Sequence, residues 1–352
     1  MDTAHEVRGG MYRRRDVIRL LGAGAGVMAA GGLLSACGGS SSAGTSPDGT
    51  LTVKDQLGWL KLTQYGGFYA AEKKGYYAAE KISTTFTAGG PNILAWQQIA
   101  SGRAMTGDDD NTNVLVAAAK GRPLVIYGAI FQTSPFAIIS KKSDPITGIE
   151  DFAGRTIAVT EASRAQFESL VKKAGVKNVS FIPAGTDPTQ LTTGQASGYS
   201  GYATSQAVAL ERQGVPVHVL YLEDLGVKSY GNVLVTTKEH LDAHHDELVR
   251  FLSATIKGHE YMNAHPEEIG KLVATEWNTS GLKAAEEMAT AKFQKDLIAS
   301  PKGVLRVDPD KMQTIIDDLV SVGTLPKRLK AADVVTTSVL DAAYGSRTSL
   351  LS

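Results

Sequence analysis

LTVKDQLGWLKLTQYGGFYAAEKKGYYAAEKISTTFTAGGPNILAWQQIA (residues 51–100) sets the fold class. Residues 51–58 read as a strand, 67–74 as a helix, 82–87 as a second strand and 91–100 as a second helix. The alternation continues downstream. PLVIYGAI (123–130) and FAIIS (136–140) are apolar and strand-like, and 155–160, 179–183, 216–222 and 232–237 extend the pattern, with helices near 165–174 and 205–213. After residue 238 the character is helical alone. Leu248, Leu252 and Ile256 form one stripe, with Val249 and Phe251 beside it. Pro266 stands where a first-turn proline belongs, with Glu267 and Glu268 at the positive helix end. Asp308-Pro309 opens a last helix whose buried face is Met312, Ile315, Ile316 and Leu319, stopped by Gly323 and Pro326. Strands alternating with helices predict an α/β fold of two lobes. Residues 51–135 give the first part of lobe 1, 136–235 give lobe 2, and 236–352 return to lobe 1 and supply the C-terminal helices.

Composition narrows the function. The 352 residues suffice for one large or two medium cores. With 43% hydrophobic and 20% charged residues the chain is globular rather than disordered. Lys+Arg and Asp+Glu stand equal at 36 each, so no net field exists to hold nucleic acid. One cysteine excludes disulfides within the chain and thiolate clusters.

That cysteine falls in an informative place. Arg13, Arg14 and Arg15 precede a weakly apolar stretch, 20–36, rich in Gly, Ala and Leu. A basic region, a modest apolar region and small residues at its end describe an export signal of the twin-arginine class. Leu34-Ser35-Ala36-Cys37 resembles the bacterial lipoprotein box, with Cys37 as the lipidated residue; an ordinary buried or free cysteine is the alternative. More than one acyl chain there would anchor the protein stably. Gly22, Gly24 and Gly26 imitate part of a dinucleotide fingerprint but lie inside the signal with no strand before them. Removal of residues 1–36 leaves 31 basic against 33 acidic residues. GGSSSAGTSPDGT (38–50) then reads as a flexible tether between the lipid and a body that begins at residue 51. The expected location is the outer face of the cytoplasmic membrane.

In α/β folds ligands sit at the carboxyl ends of strands, where loops lead into helix N-termini. Those loops are 59–65, 88–92, 106–113, 132–134, 160–164, 198–206 and 223–230. Seven segments, GFYAAEKKGYY (67–77), GGP (89–91), ASG (100–102), AAAKGRPL (117–124), DFAGRTIAV (151–159), ALERQGVPV (209–217) and DLGVKSYGNVLV (224–235), occur in order. Together they resemble the substrate-binding proteins of ABC importers, in the branch that binds thiamine precursors, with riboflavin and sulfonate binders nearby. The resemblance implies a periplasmic-binding-protein-like fold of type II, closing on a small molecule and presenting it to a permease and its ATPase. It implies a monomer, no cofactor and no chemistry.

Within the loops, Trp59 offers an indole face suited to a flat heteroaromatic ring, or else plain core packing. Tyr65 and Tyr202 are candidates to sandwich the ring or bond its substituents, with core or surface roles as the alternative. Gly89 and Gly90 allow backbone N–H groups close to a ligand near the helix that starts at Pro91, with Asn92 beside them; a tight turn is the competing reading. Asp108-Asp109-Asp110-Asn111 fits no calcium loop, so helix capping is preferred, with Asp108 kept as a ligand acceptor. Gln132, Thr133 and Ser134 stand where the chain crosses between lobes and can both hinge and hydrogen-bond. Ser163 and Arg164 open a helix and are candidates for an anionic group, against a capped helix with a solvated Arg. Where the thiamine-precursor branch has an Asn-Glu-Pro step, this chain has Ser205-Gln206-Ala207, so Gln206 supplies a neutral group. That departure leaves room for other heterocycles.

Rival readings have less to stand on. A pyrimidine synthase-like enzyme of the same fold family depends on a Cys-rich motif and a pocket histidine, and this chain has neither. His240, His244 and His245 share a helix as a metal-site candidate, although Asp242, Asp246 and Glu247 make a solvated helix the preferred reading. Aliphatic sulfonate, taurine or nitrate is the alternative ligand class.

Overall fold

The computed structural model describes residues 43–278 and 281–351. The export signal and Cys37 lie outside the described residues. The strands are β1 (Ala43–Thr45), β2 (Leu51–Gln56), β3 (Ile82–Thr87), β4 (Thr106–Asp109), β5 (Leu124–Phe131), β6 (Phe136–Lys141), β7 (Thr156–Val159), β8 (Ser180–Pro183), β9 (Gly198–Tyr202), β10 (Val217–Tyr221) and β11 (Gly231–Thr237). They form two sheets. The first runs β1-β2-β4-β11-β5, with β3 on the other side of β2; the second runs β10-β6-β9-β7-β8.

Burial follows from the residues. LVIYGAIF in β5 is buried throughout, as a continuous apolar run between covered faces must be. ISTTFT in β3 buries Ile82 and Phe86 while Ser83, Thr85 and Thr87 are exposed, the period of two of a strand wet on one face. In the second sheet Ile138 and Ile157 belong to one apolar cluster, whereas their neighbours Ile139 and Ala158 join a second, opposite cluster. The two faces are therefore separate cores.

The chain crosses from the first sheet to the second at 132–135 and returns at 222–230. These crossovers touch: Ser134 N–H donates to the Ser229 carbonyl at 3.1 Å. β11, which the sequence reading placed in lobe 2, pairs antiparallel with β4 and β5 of the first sheet. The second sheet's strands thus end at Tyr221, before the boundary drawn at 235.

C-terminal helices cover the first sheet. Leu248, Leu252 and Ile256 are fully buried on the helix His245–Ala264, which packs on the helix Gly66–Lys73. The two backbones approach at glycines: a Cβ on Gly258 would overlap the carbonyl oxygen of Gly67, and one on Gly67 would overlap the His259 ring. Pro266 opens its helix, and Asp308 caps Pro309–Ser321 by accepting from Asp310 N–H, with Met312, Ile315, Ile316 and Leu319 buried as expected. That helix is not the last, for Ala331–Val334 and Ser338–Tyr344 follow. The helix Ala284–Ile298 packs against both Thr63–Tyr65 of the first lobe and Ala203–Arg212 of the second.

Three segments read as loop or tether are strands. β1 lies inside the expected tether and pairs with β2. Pro47-Asp48-Gly49 makes the intervening turn, with Gly49 at φ +80° and Asp48 accepting from Thr50 N–H. β4 (TGDD) and β9 (GYSGY) carry residues depleted in strands. Yet each sits inside its sheet, between β2 and β11 and between β6 and β7. Among the described residues no helix is long and apolar enough to cross a membrane.

Candidate functional site

β2 and β4 run parallel in one sheet, and β7 and β9 run parallel in the other. One cavity lies at their carboxyl ends. Gly58 and Trp59 follow β2, Asp109 and Asp110 stand at the end of β4, Thr160 follows β7, and Tyr202 ends β9. The cavity measures about 110 Å³, against roughly 10–15 Å³ for one water, so it has room for a small molecule. Trp59, Phe136, Tyr199 and Tyr202 give it aromatic walls. The Tyr202 ring is held edge-on by Phe131 at 5.9 Å and Phe136 at 6.1 Å.

The electrostatics are one-sided. Asp109 and Asp110 line the cavity and no Lys, Arg or His does so among the described residues. Asp110 caps the helix Asn111–Ala119 by accepting from Thr112 N–H at 2.8 Å, so the capping reading holds for this residue. Asp109 accepts from Trp96 N–H and from the Asn113 amide, both at 2.9 Å. Asp108 is fully buried behind the cavity, where it accepts from Gly58 N–H at 3.0 Å, from the Tyr65 hydroxyl at 3.1 Å and from the Asn232 amide. Burial pushes Asp108 up to about 7 and Asp109 up to about 6, opposed by these hydrogen bonds.

Asp55, in β2, is 1% exposed, and among the described residues neither carboxylate oxygen has a hydrogen-bond partner. Desolvation, then the charge of Asp108, holds its carboxyl well above the usual range. A raised folded value means that this group's stabilisation is complete below the unfolded value near 3.8 and is lost as pH climbs toward the folded one. Asp55→Asn should therefore gain in melting temperature relative to wild type between pH 4 and pH 7.5. Taking the difference between two proteins cancels the opposite contribution of buried His259, which burial lowers to about 4. A gap that stays constant across the range would show that Asp55 is ionised in the folded state.

The residues anticipated from the sequence divide in two. Trp59, Gly90, Ser163, Tyr202 and Gln206 line the cavity. Tyr65 is buried behind it, its hydroxyl accepting from Trp59 N–H at 2.8 Å. Gly89 is also behind; a Cβ there would overlap Leu57 and Gly58 backbone, and its N–H donates to the Trp59 carbonyl at 2.9 Å. Both support Trp59 instead of forming the wall. Asn92 is exposed and off the lining, whereas Ile93 beside it lines the cavity at 41% exposure. Gln132 is spent on structure, its amide donating to the Arg306 carbonyl at 2.8 Å and its N–H to the Leu297 carbonyl. Thr133 is exposed, and the Ser134 hydroxyl accepts from Phe136 N–H at 3.2 Å, so this segment links the two sheets without lining the cavity. Arg164 points elsewhere because Glu161 and Glu168, at 3.8 and 3.7 Å, and the Phe181 carbonyl hold its guanidinium. The Gln206 oxygen is committed to Tyr202 N–H at 2.8 Å, within one turn of π-helix, Ala203–Ala207.

Sequence reasoning missed Asp109 and Asp110 as lining residues, Phe136, Gln166 and Asn232. Gln166 was within reach, since it stands three residues after Ser163 on the same helix face. It is 5% exposed, and its side-chain nitrogen has no hydrogen-bond partner among the described residues. The His240 and His244 rings lie 6.3 Å apart. Among the described residues no group of three potential ligands is arranged to hold a metal.

Two sheets, paired crossovers and a cleft at the strand ends define a two-lobed protein of the periplasmic-binding-protein fold. The chain belongs to the NMT1/THI5 like family, whose model matches residues 62–269. It is 27% identical over 228 residues to the riboflavin-binding protein RibY of Chloroflexus aurantiacus, covering 60% of this chain and 62%, less than two thirds, of that protein. It is 23% identical over 293 residues to the 4-amino-5-hydroxymethyl-2-methylpyrimidine phosphate synthase of Legionella pneumophila, covering 79% and 86% of the two chains. Among solved structures it is similar to the alkanesulfonate-binding protein SsuA from Xanthomonas axonopodis pv. citri bound to MOPS. The TM-score there is 0.62 at 16% identity, covering 81% of this chain and 98% of that one.

Proposed function

We propose that this protein is the extracytoplasmic binding component of an ABC import system. On this reading it is exported, anchored through Cys37, and delivers a small heteroaromatic compound, such as a thiamine pyrimidine precursor, to a permease and its ATPase without altering it. One observation carries the reading: a cavity between two lobes walled by Trp59 and Tyr202, with a buried, unpartnered Gln166 nitrogen available to a ligand acceptor. Family membership and the riboflavin-binding relative support the same class. The relative named as a synthase keeps an enzyme in view, but the lining offers no histidine, lysine or cysteine for proton transfer or attack among the described residues. A sulfonate or nitrate ligand is disfavoured, because an anion would meet Asp109 and Asp110 with no basic side chain among the described lining residues to offset them.

The test is a thermal-shift screen of thiamine pyrimidine precursors, riboflavin, taurine and alkanesulfonates. A true ligand stabilises by an amount that grows with the logarithm of its concentration over Kd. The expected result is a rise with a heterocycle that is recovered chemically unchanged. Stabilisation by taurine alone, or conversion of the bound compound, overturns the proposal.

A further inference from the structure

We infer that Asn232 is a positioning residue that sets the spacing between the two aromatic residues walling the cleft, Trp59 and Tyr202. The inference rests on the ring-binding reading above and deepens it.

Asn232 is the second residue of β11, just after the returning crossover, 5% exposed, and part of the cavity lining. Its backbone has φ +51°, in the left-handed region. After glycine, asparagine enters that region most readily, so the backbone accepts this residue and leaves its side-chain amide to bond. The amide oxygen accepts from the Tyr202 hydroxyl at 2.8 Å, across from the second lobe. The amide nitrogen donates to the Tyr65 hydroxyl at 3.3 Å and to the Asp108 carboxylate.

Those two partners lead to the opposite wall. Tyr65 holds Trp59 N–H at 2.8 Å and Asp108 holds Gly58 N–H at 3.0 Å, so the turn that presents the indole is fixed through them. One amide thus grips Tyr202 by its oxygen and the Trp59 turn by its nitrogen. An amide is planar and rigid, so the two anchor points stand at a set distance. The Trp59 backbone can shift relative to the Tyr202 ring only by breaking a buried hydrogen bond.

The test separates spacing from stability. In a background carrying Trp96→Phe and Trp277→Phe, acrylamide quenching reports on Trp59 alone. Asn232→Gly removes the amide while suiting the backbone. It should leave the melting temperature close to that of its parent, raise Trp59 quenching about twofold or more, and weaken riboflavin, used as an aromatic probe, about tenfold, the loss typical of one hydrogen-bond pair. Tyr65→Phe should raise quenching in the same way, whereas Tyr202→Phe, which frees only the other wall, should leave it at the parent value. Unchanged quenching in Asn232→Gly overturns the inference, as does a lower melting temperature with quenching unmoved. If riboflavin fails to bind the parent, that counts against the ring-binding reading, while the ligand-free quenching still decides the role of Asn232.

Discussion

If the proposed ring-binding role is right, Trp59→Ala should weaken binding of a heterocyclic ligand by about 2 kcal/mol, near thirtyfold, as the loss of a buried aromatic anchor does. Trp59 is half-buried at the cavity wall and only packs against the edge of the core. The ligand-free protein should therefore keep nearly all of its stability, and the loss should appear in affinity. Calorimetry of wild type and variant with whichever heterocycle the thermal screen identifies makes the measurement. Equal affinities would remove the indole from the ligand's surroundings, and a collapse in melting temperature would assign it to packing.

The second large effect concerns stability alone. Gly258→Val places branched carbons where the carbonyl oxygen of Gly67 and the Ala71 side chain already stand. Backbone cannot yield as a flexible side chain does, so the helices must separate. Overpacking of this kind costs about 3 kcal/mol, which for a chain of this size lowers the melting temperature by roughly 4–5 °C. Thermal unfolding followed by circular dichroism checks it. A value within a degree or two of wild type would mean that the crossing of the two helices is looser than described. The site lies elsewhere, so the affinity of the surviving folded protein should stay close to wild type.

Much of the scaffold was legible because burial wrote itself into periodicity. ISTTFT (82–87) is the strand it reads as, and Met312, Ile315, Ile316 and Leu319 face inward as their spacing demands. The failures have physical causes. TGDD and GYSGY look like loops because Asp and Gly are poor strand formers, yet both are strands with neighbours on either side. The same residues bring Asp109 and Tyr202 to the cavity, so the segments most altered by the site are the hardest to read as strands.

At the site, loop positions were readable and side-chain directions were not. Arg164 is near the right place in sequence, but Glu161 and Glu168 turn it away. Tyr65 and Gly89, candidates for ligand contacts or for structural roles, lie behind the cavity and hold the backbone of Trp59, which lines it. Asn232 could be found only in three dimensions. Its partners Tyr65, Asp108 and Tyr202 come from distant parts of the chain, and no local pattern joins them.

The bond from Ser134 to the Ser229 carbonyl fastens the two crossovers side by side. Two segments tied in this way move together where they pass. Folding along a line that runs across both keeps the tie intact; swivelling one half sideways would shear it. A movement of one sheet against the other therefore acts on both crossovers at once, and the backbone of two serines carries the tie.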